Sequence, residues 1–304
     1  MSAIWPADPG VRVARRATDE LGEGPHWAAS EGVLHRIDIL APAIRSFSPD
    51  APGAERTLAV AEPIGAVVPR RVGGFVAALA SGIVLIDADG TVRPLANPES
   101  DRPGNRFNDG KCDARGRFWI GSMASDASPG AGALWRVDPD GTAVRMLDGV
   151  DIANGLGWSP DGARFYFTDS GCGAIDVFDF DAESGALGER RPFARVDENG
   201  VPGDAAPDGL AVDAEGFVWS AHWDGGRLVR HDPDGRVDRV VRVPVPRPTS
   251  CAFGGVDGRT LFVTSARIGL SEAVLGEAPL SGSVLAIDLD VGGLPEAVFG
   301  TLDE

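Results

Sequence analysis

Glu23, Asn154 and Asp208 are far apart in the chain, yet each sits just before a glycine that opens an apolar strand. Six segments share this layout: LGEGPHW from Leu21, EPIGAVV from Glu62, RFNDGKCD from Arg106, IANGLGWS from Ile152, APDGLAVD from Ala206 and RPTSCAF from Arg247. Aligned on the small residue, the preceding position holds Glu23, Ile64, Asp109, Asn154, Asp208 and either Thr249 or Ser250. If the segments are equivalent strands around a ring, Glu23, Asn154 and Asp208 converge at one channel mouth, with Asn108 and Asp109 close by. Such oxygen donors, two of them carboxylates, repel one another in a confined space unless a cation holds them. Oxygen-only donors suit Ca²⁺, Mg²⁺ or Mn²⁺ and tolerate Zn²⁺ or Fe²⁺. Three protein ligands also leave positions open for water and substrate, the condition for metal catalysis. Any single Asp-Gly or Asn-Gly pair reads as a turn. Three at the repeat-equivalent position point to a metal.

The elements that must position these residues repeat as well. An apolar strand pair closes on a tight, mostly acidic turn six times: IRSFSPD, IVLIDADG, LWRVDPDG, IDVFDFDAESG, LVRHDPDG and VLAIDLDVGG. Each copy follows another run rich in Val, Ile, Phe and Trp, the composition of strands. In Asp-Pro-Asp-Gly the proline presets its own φ and the glycine accepts a positive one. The copies recur roughly every 40 to 55 residues, the period of a four-stranded blade. This predicts an all-β, six-bladed propeller of four antiparallel strands per blade, with residues 1–304 as one domain. The stretch VRVARR (11–16) precedes the first repeat and has no partner in it. It is expected to be the outer strand of the last blade, closing the ring and hiding an exposed edge. The best helical candidate, SEAVLGEAP from Ser271, reads as a surface insertion of about two turns.

Composition excludes several classes. A formal net charge of −17 argues against nucleic acid, whose phosphates are bound by clustered Lys and Arg, and against an anionic membrane surface. The N-terminus lacks a signal-peptide layout, and the longest apolar stretch, around 73–86, is too short to span a bilayer. Cys112, Cys172 and Cys251 fall in no CxxC pattern and read as buried reduced thiols of a cytoplasmic protein. The four histidines form neither HxH nor HExxH, so a histidine-rich centre is not expected. No GxSxG elbow supports a serine triad.

The segments LGEGPHW, RFNDGKCDARGRFWIGSM, NGLGWSPDGARFYFTDS, PDGLAVDAEGFVW and LFVTSARIGLS resemble, in order, the SMP-30/gluconolactonase/regucalcin-like family, of the bacterial sugar-lactonase type. The resemblance implies a six-bladed propeller with one divalent cation at the channel mouth, held by Glu23, Asn154 and Asp208. It makes Arg106 and Asn108 substrate contacts, with Asn108 alternatively a further ligand. Where several relatives carry a Glu just after GTM, this chain reads GSMASDAS, placing Asp126 near that point as a shorter contact for sugar hydroxyls. Loop 124–132 reads either as a lid or as a plain surface loop.

The implied activity is hydrolysis of a sugar (aldono-) lactone to the aldonic acid. The cation polarises the carbonyl, and Asp208 positions or deprotonates the attacking water. The alternatives are a non-catalytic calcium- or ligand-binding regulatory propeller and a phosphotriester hydrolase. A small-molecule lactone is the expected partner, and the chain is expected to act as a monomer or weak homo-oligomer. His222 is read as a packed or solvent-facing strand histidine rather than a proton relay. Trp27, Trp119, Trp158, Trp219 and Trp223 are read as blade-to-blade packing. Lys111 lacks the apolar surroundings of an activated lysine.

Overall fold

The alternating strand runs fold as their pattern demands. The computed structural model describes residues 5–51, 53–196 and 205–301. These residues form six four-stranded antiparallel sheets arranged as a six-bladed propeller. The inner strands are Gly22–Ala28, Ile64–Pro69, Asn105–Cys112, Ala153–Trp158, Ala206–Val212 and Pro248–Gly254, for blades 1 to 6. Each packs against the next, and the sixth packs against the first. Blade 6 takes its outer strand, Val11–Arg15, from the N-terminal end, paired antiparallel with Val284–Asp288. There Arg12 donates to both carboxylate oxygens of Asp288, at 3.2 and 3.0 Å.

The acidic turns have a defined job. In LWRVDPDG, Gly141 N donates to Asp138 O at 2.9 Å with Gly141 at φ 87°, a conformation that glycine adopts without strain. The inner hairpins use a second device, visible in DARGRFW and DAEGFVW. Asp113 accepts from Arg115 N and Arg117 N with one oxygen and from Trp119 Nε1 with the other. Asp213 repeats this with Glu215 N, Phe217 N and Trp219 Nε1. One carboxylate thus closes the turn and orients the tryptophan that fills the next blade interface. Trp119 packs on Trp158, Phe165 and Phe180, while Trp219 meets Phe253 and Trp27 stacks on Phe262.

The helical candidate forms Glu272–Glu277, capped by Ser271, whose Oγ accepts from Val274 N. It is the one helix among the described residues, and none there is long and apolar enough to cross a membrane.

A tail outside the blade repeats crosses the end of the channel where the inner hairpin turns lie. Leu289 N donates to Arg259 O, Gly293 N to Gly258 O, and Gly292 O accepts from Ala214 N. Farther on, Phe299 N donates to Pro69 O, and Gly300 N to Gly116 O. The tail therefore runs from blades 5 and 6 to blades 2 and 3.

Candidate metal centre

A single local irregularity builds the site. In all six blades the pairing of the inner strand with its neighbour shifts register at the same place. The shift spans Glu23/His26, Ile64/Ala66, Phe107/Gly110, Ala153/Leu156, Pro207/Leu210 and Pro248/Cys251. A bulge leaves its extra residue unpaired and re-aims the side chain. The following glycine is small because the inner strands nearly touch there. A Cβ on Gly155 would meet Leu210 N at 2.4 Å, and one on Gly65 would meet the Phe107 carbonyl at 2.5 Å.

The structure brings Glu23, Asn154, Asp208, Arg106 and Asn108 into one cavity of about 210 Å³. Glu23, Asn154, Asp208, Asn108 and the neighbouring Asp109 are at most 9% exposed. Hydrogen bonds fix several of these side chains. Asn154 Nδ2 donates to Ser170 Oγ at 3.0 Å, and Ser170 Oγ donates to Pro207 O at 2.6 Å. Asn108 Nδ2 donates to Ala153 O at 2.8 Å, while its Oδ1 accepts from Arg106 Nη1 at 2.7 Å. Glu23 Oε2 accepts from Gly24 N at 2.8 Å. What is left over is informative: Asn154 Oδ1, Asp208 Oδ1 and Asp109 Oδ2 are buried with no hydrogen-bond partner. An unsatisfied buried oxygen is costly, and those of Asn154 and Asp208, which line the cavity with Glu23, are electron-pair donors of the kind a hard cation requires.

The electrostatics agree. Burial, then the charges of Asp208 and Asp109, pushes the Glu23 carboxyl well above its ordinary range. Burial and Asp109 do the same to Asp208, against a hydrogen bond from Asn154. Burial lowers the Arg106 guanidinium, opposed by Glu23 and Asp208. The carboxylates need either protons or a cation, and the donor set fits a divalent cation held by Glu23, Asn154 and Asp208.

Other side chains fall elsewhere. Asp126 is exposed, does not line the cavity, and spends its Oδ1 on Ser128 N and Oγ at 3.0 and 2.7 Å. Trp223, read as blade packing, instead forms a cavity wall, with the Arg247 guanidinium 4.6 Å from its ring centroid. Leu21, Ile39, Met123, Ile152, Ala206 and Ser170 complete the lining. Of these, only the hydroxyl of Ser170, in TDSG, carried any chemical signal in the sequence. His222 is buried outside this cavity, and burial, then Arg227 and His231, hold it near pKa 3, so it stays neutral. Lys111 is largely buried but remains an ammonium: burial alone would lower it, yet Glu296 and Asp109 prevail and raise it. Cys172 is exposed rather than buried, whereas Cys112 and Cys251 are buried; all three are free. Cys172 lies with Asp151 and Asp169 in a second acidic group. There its thiol is pushed up to about 11 by burial and the two aspartates, and Asp169 already caps Ile152 N, so the group is a hydrogen-bonded loop clasp.

Comparison with known proteins identifies the family and the fold. Residues 21–267 match the SMP-30/Gluconolactonase/LRE-like region. The chain is 41% identical over 288 residues to a 6-deoxy-6-sulfogluconolactonase of Pseudomonas putida, covering 93% of this chain and 96% of that protein. It is 36% identical over 290 residues to a regucalcin of Xenopus laevis, covering 93% and 95%. The solved structure of a calcium-binding protein, regucalcin, from Agrobacterium tumefaciens superposes with a TM-score of 0.90 at 30% identity, covering 99% of this chain and 100% of that one.

Proposed function

This chain belongs to the SMP-30/gluconolactonase/LRE-like family, and we propose that it hydrolyses a sugar (aldono-) lactone to the aldonic acid with one divalent cation. The observation that carries the reading is the pair of unpartnered buried oxygens, Asn154 Oδ1 and Asp208 Oδ1, facing one cavity beside Glu23. When bound there, the cation supplies the positive charge that polarises a lactone carbonyl and acidifies a water. Glu23, Asn154 and Asp208 hold it, and the Ser170 hydroxyl fixes the amide of Asn154 so that its oxygen faces inward.

Arg106 and Asn108 bind and orient the sugar. Arg106 Nη1 is tied to Phe107 O and Asn108 Oδ1, which leaves Nε and Nη2 for substrate oxygens. A carboxylate oxygen of Asp208 takes a proton as the water oxygen bonds to the carbonyl carbon. The proton then goes to the ring oxygen as the acyl C–O bond breaks, giving the open hydroxy acid. A free carboxylate near pKa 4 is a weak base, so Asp208 can take its proton only from a water that the bound cation has acidified. A lactone is an activated ester, so no enzyme nucleophile is required. A purely ion-binding propeller would have no use for a buried guanidinium held open beside the ion. In this reading Asp126 stands outside the substrate's reach, and the six blades act as one domain.

A pH-drop assay over a panel of aldonolactones tests this, using chelated protein with Ca²⁺, Zn²⁺, Mg²⁺, Mn²⁺ and Fe²⁺ restored in turn. Turnover of at least one aldonolactone should vanish on chelation and return with a cation. Full turnover in chelator, or none with any cation, overturns it.

A further inference from the structure

Directly below the cavity the channel holds a second set of buried charges that lactone hydrolysis does not use. On the inner strand of blade 3, Asp109 stands between Asn108, which lines the cavity, and Lys111; Glu23 and Asp208 both feel its charge, and it feels Lys111 most among its charged neighbours. Lys111 Nζ donates to Leu210 O at 2.9 Å. That carbonyl is two residues beyond Asp208 on the same inner strand. The ammonium also lies 3.9 Å from Glu296 Oε1, with the two side chains only 13% and 14% exposed. Glu296 belongs to the tail that crosses the lower channel mouth, and it lies outside the 21–267 family match. His26 Nδ1 is 3.7 Å from the other Glu296 oxygen. Burial, then Lys111, holds that imidazole near pKa 3, so it adds no charge. Lys111 and Glu296 are therefore each other's counter-ions within a low-dielectric channel, where charges act over longer distances than in water.

We propose that Glu296 is a positioning residue for the metal centre: from the C-terminal tail it offsets the charge of Lys111, whose ammonium is bonded to the Asp208 strand, and so keeps uncompensated positive charge away from the cation site. The inference rests on the metal reading above. It also gives the tail a role beyond sealing the lower mouth.

Calorimetric titration of Ca²⁺ into the full-length protein tests the proposal through Glu296→Gln, Lys111→Met and the double variant, with Tm recorded for each. Glu296→Gln removes the first of the two carboxylates that balance the ammonium, leaving Asp109 alone, and should weaken Ca²⁺ binding roughly three- to tenfold. Lys111→Met should tighten it by a similar factor, and the double variant should return close to the unaltered protein. A packing role alone predicts that the double variant binds no better than either single one. If Glu296→Gln binds Ca²⁺ as the unaltered protein does, or the double variant shows no rescue, this inference falls while the metal reading stands. If the unaltered protein binds no Ca²⁺, the same titrations use whichever of Zn²⁺, Mg²⁺, Mn²⁺ and Fe²⁺ it binds, and binding of none of the five sinks both. Should Lys111→Met fail to fold, an unchanged Kd for Glu296→Gln still overturns the proposal, and a raised one with Tm unmoved supports it.

Discussion

Asp208→Asn should stabilise the cation-free protein while abolishing its response to cation. Burial and the repulsion of Asp109 raise the Asp208 carboxyl, and Asp208 in turn helps raise Glu23. A group whose folded pKa lies above its unfolded value contributes its stability below the unfolded value, near pH 4 here, and loses it as pH climbs through the folded value. Without cation, the Tm of the unaltered protein should therefore fall as pH rises above about 4 through the raised folded-state values. The asparagine keeps the side-chain shape and one oxygen but removes a charge. It relieves an unpartnered buried carboxylate oxygen, a defect worth about 1–3 kcal/mol. For a chain of this size roughly 2 °C accompanies each kcal/mol, so the cation-free variant should melt about 2–6 °C higher near pH 8.

Cation closes this gap and, except at the top of that range, reverses the ranking. Ca²⁺ at a hundredfold excess over Kd adds about 2.7 kcal/mol to the unaltered protein, or roughly 5 °C, whereas the variant should gain almost nothing and lose turnover. Differential scanning calorimetry in chelator, then in Ca²⁺, at several pH values reads both halves. A variant less stable than the parent in chelator, or one still stabilised by Ca²⁺, would refute the electrostatic account.

Arg106→Ala should raise KM for an aldonolactone about tenfold, or 1.4 kcal/mol, while leaving the calorimetric Ca²⁺ Kd unchanged or tighter, because a positive neighbour of Glu23 and Asp208 is gone. Asp126→Ala should leave kcat/KM within about twofold, since that carboxylate serves only Ser128; a larger loss in steady-state kinetics would mean the loop folds over the substrate. Gly155→Ala places a carbon 2.4 Å from Leu210 N and should cost about 1–3 kcal/mol by denaturant titration. It should also weaken Ca²⁺ binding, although it removes no ligand atom.

Much of this was legible because repetition is legible. Strand alternation and acidic turns recur six times, and equivalence between copies assigned Glu23, Asn154 and Asp208 to one place without any knowledge of distances. The misreadings come from facts that repetition does not carry. Trp219 and Trp223 look alike on one strand, yet the first is buried at a blade interface and the second, at the strand end, walls the cavity. Asp126 had a local signal that outweighs its position in the loop: the serine two residues on captures its carboxylate, as Asx turns do. Glu296 has no repeat equivalent, so nothing in the sequence connects it to Lys111. Cys172 sits in the turn after a buried strand, and turn exposure depends on what packs over it.

The bulge explains why the site could be read and why it is demanding to build. It is present in all six inner strands, including blade 2, which fills the position with Ile64, so the irregularity belongs to the propeller and the proposed metal centre is fitted onto it. Blades 1, 4 and 5 carry the proposed ligands, and blade 3 carries Arg106, Asn108 and Asp109. A cation held there as proposed would tie together strands that are not all neighbours in the ring. The same near-contact of inner strands that forces glycine at positions 65 and 155 leaves no water around the carboxylates, and burial first, their mutual repulsion second, raises Glu23 and Asp208. Close packing on the axis and the proposed demand for a cation thus share one geometric cause, and relaxing the first should relax the second.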